Sequence, residues 1–320
     1  MDRPGAVAGL RATLTGFAAT RLAETQSWCV ALSGGPDSLA LTAAAATTLP
    51  TTALIVDHGL QHGSESVAAT ARDRALDLGC VRAEVLRVRV GSTGGPEAAA
   101  RTARYAALDA ARAGAPVLIG HTLDDQAETV LLGLGRGSGS RSIAGMRTAD
   151  PPWYRPLLGV RRSVTQAACT ELGLVAWDDP HNSDPRFTRV RLRAEVLPLL
   201  EQVLGGGVAE ALARTAAALR EDNDALDCLA ARNLPTGPSG GGLDVDAIRD
   251  LPDALRRRVI RVWLLAGGAT GLTDTQIRAV DALVSSWRGQ GGVAVSSDVP
   301  RTRLFAERHG GTLTLLRKPL

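Results

Sequence analysis

Lysine is all but absent from this 320-residue chain: Lys318 is the only one, and arginine carries nearly all of the positive charge. A GC-rich genome accounts for that bias, so it carries little functional weight. No apolar run reaches the ~18 residues that a membrane span needs, and no membrane partner is expected. The first residues include an acid, Asp2, and lack a signal-peptide pattern. Leu10, Leu14, Phe17 and Arg21 instead have the spacing of an amphipathic first helix. The four cysteines (Cys29, Cys80, Cys169, Cys228) are scattered, with no C-x-x-C. That argues against a disulfide framework or a zinc ribbon and fits a reducing, cytoplasmic setting. There is no long-period repeat and no extended low-complexity segment. The net charge of +3 is too small to point to nucleic acid by itself, so the distribution of charge matters more.

What is present is an ordinary globular composition, 45% apolar and 22% charged, in a chain long enough for two domains. Up to about residue 120 the pattern alternates between strand and helix. Strands are predicted at Trp28–Leu32, Ala53–Val56, Val81–Val90 and Val117–Ile119, with helices at about 36–48, 64–78 and 96–113. Repeated β-α units of this length predict an α/β fold with a parallel sheet covered by helices. In such sheets ligands sit at the carboxyl ends of the strands. "SGGPDS" at 33–38, "DHG" at 57–59, the loop at 91–97 and "GHTLDDQAET" at 120–129 all fall there. A second regime begins near 135, with a glycine- and serine-rich stretch, "RGSGSR" at 136–141, that suits a mobile loop over the site. Helices are expected at about 208–232, 246–266 and 273–287, and a small β-meander at the end. The expected domains are 1–205 and 206–320, the second a smaller α+β unit.

The loop 33–38 follows a strand and opens a helix. Glycine at 34 and 35 frees the backbone to aim amide N–H groups at one centre. The helix adds its positive N-terminal end, and Ser33 and Ser38 add hydroxyl donors. The product is an anion cradle suited to phosphate. A Walker A loop would end in Gly-Lys-Ser/Thr, but this one has Pro36-Asp37-Ser38. An aspartate beside phosphates repels them unless a cation intervenes, so Asp37 predicts Mg²⁺. The plainer reading is a capped helix after a glycine turn.

In "GHTLDDQAET", His121, Asp125 and Glu128 share a helix face at i, i+4, i+7, and Asp124 pairs with Glu128 at i, i+4. Acids this close are tolerable beside a cation, whether Mg²⁺ or a lysine ammonium. The plain alternative is acids enriched in a helix's first turn. One histidine and no thiolate make a weak zinc site.

"SGGPDS" resembles the S-G-G-x-D-S signature of the PP-loop ATP pyrophosphatases. The order "SGGPDS", "VDHGL", "EAAARTARY", "GHTLDDQAET", "RP" at 155–156 and "DDPHNSDPRFTRVRLR" at 178–193 resembles the tRNA(Ile)-lysidine synthetase family over about residues 25–200. Val190 stands where that family's arginine-rich run carries asparagine. The resemblance implies a PP-loop domain of adenine nucleotide alpha hydrolase type and a C-terminal tRNA- or substrate-binding domain. It implies ATP and Mg²⁺ as cofactors, with free L-lysine and the wobble cytidine of a tRNA(Ile) bearing a CAU anticodon as substrates. Cytidine is adenylated, lysine displaces AMP, and pyrophosphate leaves. A homodimer is compatible with it.

On that reading the loop 33–38 and Asp57 bind the nucleotide, with Asp37 and Asp125 as metal ligands. Asp37, Asp125, Glu128, Arg101 and His121 are the catalytic candidates. Developing charge on the α-phosphate calls for cations such as Arg101 and Arg104, at i, i+3 on one helix. Lysine, with a reference pKa of ~10.4, is neutral in only about one molecule in a few thousand at pH 7. Asp124, Asp125 and Glu128 are placed to bind its ammonium and take its proton. Arg104 and Arg191 are further substrate contacts. Arg186, Arg189 and Arg193, at i, i+3, i+7, would form a basic stripe for tRNA. Further arginines at 136, 141, 147, 161, 162, 256, 257, 258 and 261 would extend it, or simply be solvated faces. The competing readings are a PP-loop tRNA thiolase, a non-catalytic ATP-binding module and an ammonia-dependent nucleotide synthetase.

Overall fold

The computed structural model describes residues 5–59, 63–91, 95–137, 139–177, 179, 184–234 and 241–320. Most of the "DDPHNS" stretch and part of the loop at 91–97 therefore lie outside the described residues. The elements run α1 (Ala6–Arg21), β1 (Trp28–Ala31), α2 (Pro36–Ala46), β2 (Thr51–Asp57), α3 (Ser64–Asp77), β3 (Arg82–Arg87), α4 (Pro96–Ala111), β4 (Val117–Ile119), α5 (Leu123–Gly135) and α6 (Ser140–Ile143). They continue with β5 (Ala149–Asp150), β6 (Trp153–Tyr154), α7 (Arg162–Glu171), α8 (Thr188–Arg191), a π-helical turn at Leu192–Val196, α9 (Leu197–Val203) and α10 (Val208–Arg232). The remainder is β7 (Leu243–Asp244), α11 (Val245–Arg249), α12 (Asp253–Ala266), β8 (Ala269–Thr270), α13 (Asp274–Ser285), β9 (Val293–Ser297), β10 (Thr302–His309) and β11 (Thr312–Pro319). No single helix among the described residues is long and apolar enough to cross a membrane.

The chain forms two compact units, residues 1–135 with 145–215, and residues 136–144 with 216–320. In the first, the sheet order is β3-β2-β1-β4-β6-β5. β1 pairs in parallel with β2 on one side and β4 on the other, Val30 lying opposite Ala53 and Leu118. β2 and β3 were laid down to one side before β4 returned to the other, so the order reverses between β1 and β4. That is the switch point at which an open α/β sheet leaves a crevice beyond its strand ends. The loop 33–38 leaves β1 there, and "GHTLDD" leaves β4.

The central strands are buried on both faces and so read as continuous apolar runs. Trp28, Val30, Leu39, Leu41 and Leu118 form the core with Leu10 and Leu14 of α1 and Leu157. Each such aliphatic side chain contributes roughly 1.5–3 kcal/mol. Trp28 is fully buried and satisfies its indole N–H on the Thr51 hydroxyl at 2.7 Å. The expected strand at 81–90 stops at Arg87. β6, parallel to β4, and its antiparallel partner β5 extend the sheet by two-residue strands too short to leave a periodicity.

The second unit carries an antiparallel sheet, β7-β11-β10-β9-β8, in which β9, β10 and β11 are the expected meander. Its own core gathers Ile248, Ile260, Leu264, Val280, Leu283, Val295 and Leu304. The helix expected at 246–266 is two helices: Pro252, extended at ψ 141°, ends one and opens the next. Ser140 starts a helical turn and bonds Asn223 at 3.0 Å, and Arg141 holds Asp227 at 2.8 Å.

Candidate active site

A cavity of about 660 Å³ opens in the first unit beyond the ends of β1, β2 and β4. The nucleotide-type loop forms one wall. Gly34 has φ +85°, a left-handed value that favours glycine, and the chain turns there. Gly35, at φ −74°, needs no such freedom. Its place at the cavity wall, rather than its backbone angle, is where a missing side chain counts. Pro36 takes the first helical position of α2, where its absent N–H costs nothing. The two serine hydroxyls close the loop on itself. Ser38 Oγ lies 3.1 Å from Ser33 Oγ and donates to Gly35 O at 3.0 Å. Gly120 packs against this loop so closely that a Cβ there would lie 3.1 Å from the Asp37 carbonyl and the Ser38 nitrogen. The two motifs are thus in backbone contact.

Asp125 begins α5 with two tasks. Its Oδ2 accepts from the Thr122 N–H and hydroxyl, both at 2.8 Å, while the Thr122 hydroxyl accepts from the Asp125 N–H at 3.4 Å. This is a reciprocal helix cap. Its Oδ1 accepts from Arg162 Nη2 at 2.6 Å. The same guanidinium reaches Asp37 Oδ2 through Nε at 3.1 Å and Glu128 Oε1 through Nη1 at 3.4 Å. Arg193 adds a fork onto Glu128, at 2.7 and 3.1 Å. Glu128 is 0% exposed. Three acids therefore face two arginines, a local excess of one negative charge.

Electrostatics divide the acids. Burial raises the pKa of Asp37, against the hydrogen bond from Thr165 and the charge of Arg162. Burial also pushes Asp125 up, but Arg162 and the Thr122 amide more than offset it and the net shift is downward. Arg162 is raised, since the three acids outweigh its own desolvation.

The opposite wall is short of partners. Burial, with the charge of Arg104 added, lowers the pKa of His58. Burial brings His121 down to about 4, with the nearby arginines adding and Asp125 opposing. Both imidazoles are therefore neutral near pH 7, and the Nδ1 atom of each is buried without a hydrogen-bond partner among the described residues. Burial lowers Arg104 from its ordinary value too. Its guanidinium lies 5.4 Å from the Tyr105 ring centre.

The comparisons with known proteins fit this geometry. A PP-loop domain model matches residues 10–200, and a TilS substrate binding domain model matches residues 243–313. The tRNA(Ile)-lysidine synthase of Mycolicibacterium paratuberculosis is 69% identical over 320 residues, covering all of both chains. The chain belongs to the tRNA(Ile)-lysidine synthase family. The Nocardia farcinica member is 61% identical over 311 residues, 97% of this chain and 98% of that one. A U34-tRNA thiolase from Methanococcus maripaludis shares the fold, at 17% identity and a TM-score of 0.53 over 68% of this chain and 80% of that one.

Within this lysidine synthase family member, the structure brings together most of the residues singled out from sequence. Ser33, Gly35, Pro36, Asp37, Ser38, Asp57, Arg104, His121, Asp125 and Arg193 line the cavity. Glu128 sits behind them. Gly34 faces a neighbouring hollow of about 230 Å³, separated by Trp177, which lines both spaces. Asp57 spends Oδ1 on the Gly59 N–H.

Others lie elsewhere. Asp124, one residue and so ~100° round the helix from Asp125, turns to α7. It accepts from the Arg162 N–H at 2.7 Å and pairs with Arg161 at 3.3 Å. It anchors a helix instead of lining the cavity. Arg101 is exposed and stacks 4.8 Å over Tyr105. Arg191 is exposed and pairs with Glu195, and Arg186 with Asp184. The stripe of 186, 189 and 193 does not form. The π-turn at 192–196 changes the helical spacing, and Arg193 turns inward to Glu128. The arginines at 256–258 are held by Asp281, Asp253 and Asp227.

Three residues that line the cavity were not singled out from sequence. Arg162 entered there only among the further arginines for tRNA or solvent, with no helix expected to start at it. His58, inside "VDHGL", and Trp177 carried no periodic signal.

The Mg²⁺ site expected between Asp37 and Asp125 holds the Arg162 guanidinium instead. All four oxygens of the two carboxylates are engaged, Asp37 Oδ1 by the Thr165 hydroxyl. No group of three or more acidic, histidine or cysteine side chains among the described residues is spaced to hold a metal. The protein groups as arranged do not fit a preformed metal site, and no step below is routed through one.

Proposed function

We propose that the chain is a carbon–nitrogen ligase. It joins free lysine to carbon 2 of the wobble cytidine in tRNA(Ile) with a CAU anticodon, and the products are lysidine, AMP and pyrophosphate. The carbonyl oxygen at carbon 2 is a poor leaving group, and transfer of AMP to it from ATP makes it a good one. The loop 33–38, with the N-terminus of α2, cradles phosphate. Arg104 and the neutral His121 face the reacting base and α-phosphate. Neutral His121 can accept or donate one hydrogen bond there without adding charge. Mg²⁺ enters only as the nucleotide's companion, with no protein ligand assigned. The domain of residues 1–205 carries the chemistry and 206–320 holds the tRNA, in the cytoplasm.

The carrying observation is the charge count beside the phosphate loop: Asp37, Asp125 and Glu128 against Arg162 and Arg193. The cluster lacks one positive charge, which a lysine ammonium supplies. Once bound, that ammonium must lose a proton to attack, a handicap of roughly 4–5 kcal/mol at pH 7 for a group of pKa ~10.4. The acid cluster is the proton's acceptor. Sulfur transfer has no comparable support. None of the four cysteines lines the cavity, and burial raises the thiols of Cys29, Cys80 and Cys169, disfavouring the reactive thiolate.

The test is incorporation of radiolabelled lysine into unmodified tRNA(Ile) bearing CAU, with ATP and Mg²⁺ and with methionine tRNA as control. ATP-dependent labelling of the isoleucine tRNA alone is the expected result. Pyrophosphate release without lysine incorporation would sink the assignment of the nucleophile and keep the adenylating loop.

A further inference from the structure

The ligase reading uses Arg162 only as one charge in a count. Arg162 opens α7, its side chain is 15% exposed, and each guanidinium nitrogen meets a different carboxylate. Asp37 comes from the loop after β1, while Asp125 and Glu128 come from the helix after β4. Arg193 touches Glu128 and approaches Asp125 at 3.6 Å, with no contact to Asp37. Among the described residues, Arg162 is thus the one cation bonded to both motifs.

We propose that Arg162 is a positioning residue. Its planar fork ties the nucleotide-loop acid to the two α5 acids, so that the adenylating and ammonium-binding halves of the site keep one fixed spacing. This rests on the ligase reading. Without the fork, three carboxylates within reach of one guanidinium repel one another and spread. A lysine in its place would keep the charge but present a point ammonium on a flexible stem, which cannot hold three separate directions. A misplacement of ~1 Å is enough to cost about 100-fold in rate.

The test compares Arg162→Lys and Arg162→Ala with the wild type in lysine transfer to tRNA(Ile), with ATP binding by calorimetry as a second readout. Arg162→Lys is expected to bind ATP within about threefold of wild type, while kcat falls about 100-fold and the lysine KM changes far less. Arg162→Ala is expected to lose at least as much and to recover about tenfold or more in millimolar guanidinium chloride, which re-enters the vacated space. A Lys variant with kcat within about threefold of wild type, or a loss confined to the lysine KM, overturns the proposal. So does a folded Ala variant that guanidinium does not restore. If the wild type itself transfers no lysine, the ligase reading fails. Arg162 is then judged by the same two variants on pyrophosphate release.

Discussion

Arg162 and Arg256 both sit among carboxylates, and Arg162 lines the cavity beyond the strand ends. Arg256 is 7% exposed in its side chain and draws its partners from within 25 residues in sequence. Asp281 accepts from Nε at 2.6 Å, Asp253 from Nη2 at 2.8 Å, and the carbonyls of Leu251 and Arg249 from Nη1 at 2.9 and 3.3 Å. With Arg257 included, two arginines meet two aspartates and the charges cancel. Arg162 has no carbonyl partner for its guanidinium among the described residues. Its acids lie 125, 37 and 34 residues away, and the balance falls one charge short. A network that satisfies itself within adjoining helices has nothing left for a ligand. A network assembled from distant motifs at a strand-end cavity, with unbalanced charge, is built to be completed.

The sharpest way to break that comparison is to remove one aspartate from each network. Asp37→Ala is expected to lower ATP-dependent pyrophosphate release by about 10³-fold or more, equivalent to roughly 4 kcal/mol of barrier. Its far-ultraviolet circular dichroism should remain that of the wild type. Normal turnover in this variant would remove the role given to the loop.

The matching change in the second unit should move stability instead. Asp281→Ala removes the buried carboxylate from Arg256 and leaves it only the exposed Asp253 and two carbonyls, so it is expected to cost up to about 3 kcal/mol, read from chemical denaturation. Turnover per folded molecule, measured below the lowered melting temperature, should stay within a few-fold. Replacing the pair together, Arg256→Met with Asp281→Leu, should recover most of the loss, since apolar residues of similar volume replace a buried ion pair at little cost. If Asp281→Ala loses rate as Asp37→Ala does, the distinction between the networks is wrong.

The histidine wall supplies a smaller, pH-dependent difference. His121 has its pKa lowered to about 4 from an ordinary 6.5. Between those values the unfolded chain binds a proton that the native site refuses, so stability rises with pH. Its share is complete above about 6.5 and is lost as pH falls toward 4. On the order of 1–2 kcal/mol should disappear between pH 7 and pH 5. His121→Gln should flatten that part of the melting profile, and an unchanged slope would contradict a buried neutral imidazole.

Much of the first unit was legible because buried parallel strands and their covering helices leave long, distinct patterns. The site's two motifs were legible because each is local: a glycine turn before a helix, and acids spaced on one face. What the pattern could not carry was the tertiary environment. Asp124 and Asp125 are neighbours of one type, yet one anchors α7 and the other lines the cavity. Arg162 gains its meaning from partners up to 125 residues away. The extrapolated stripe failed because Arg186 lies before the helix, which starts at Thr188, and a π-turn, invisible to a 3.6-residue count, follows from Leu192.

The smallest effect concerns the two arginines on either side of that turn's start. From sequence, Arg191 was a substrate contact and Arg193 one for tRNA; the structure turns Arg193 inward and leaves Arg191 in an exposed pair with Glu195, at i, i+4. Exposed pairs of that kind contribute little to stability. Arg191→Ala should therefore change stability little and leave the lysine KM within about twofold. Arg193→Ala strips Glu128, fully buried, of its fork, and should raise the lysine KM and lower the melting temperature together. If instead Arg191→Ala raises the lysine KM while Arg193→Ala does not, the register through 188–196 differs from the one described. The sequence-based assignment would then hold.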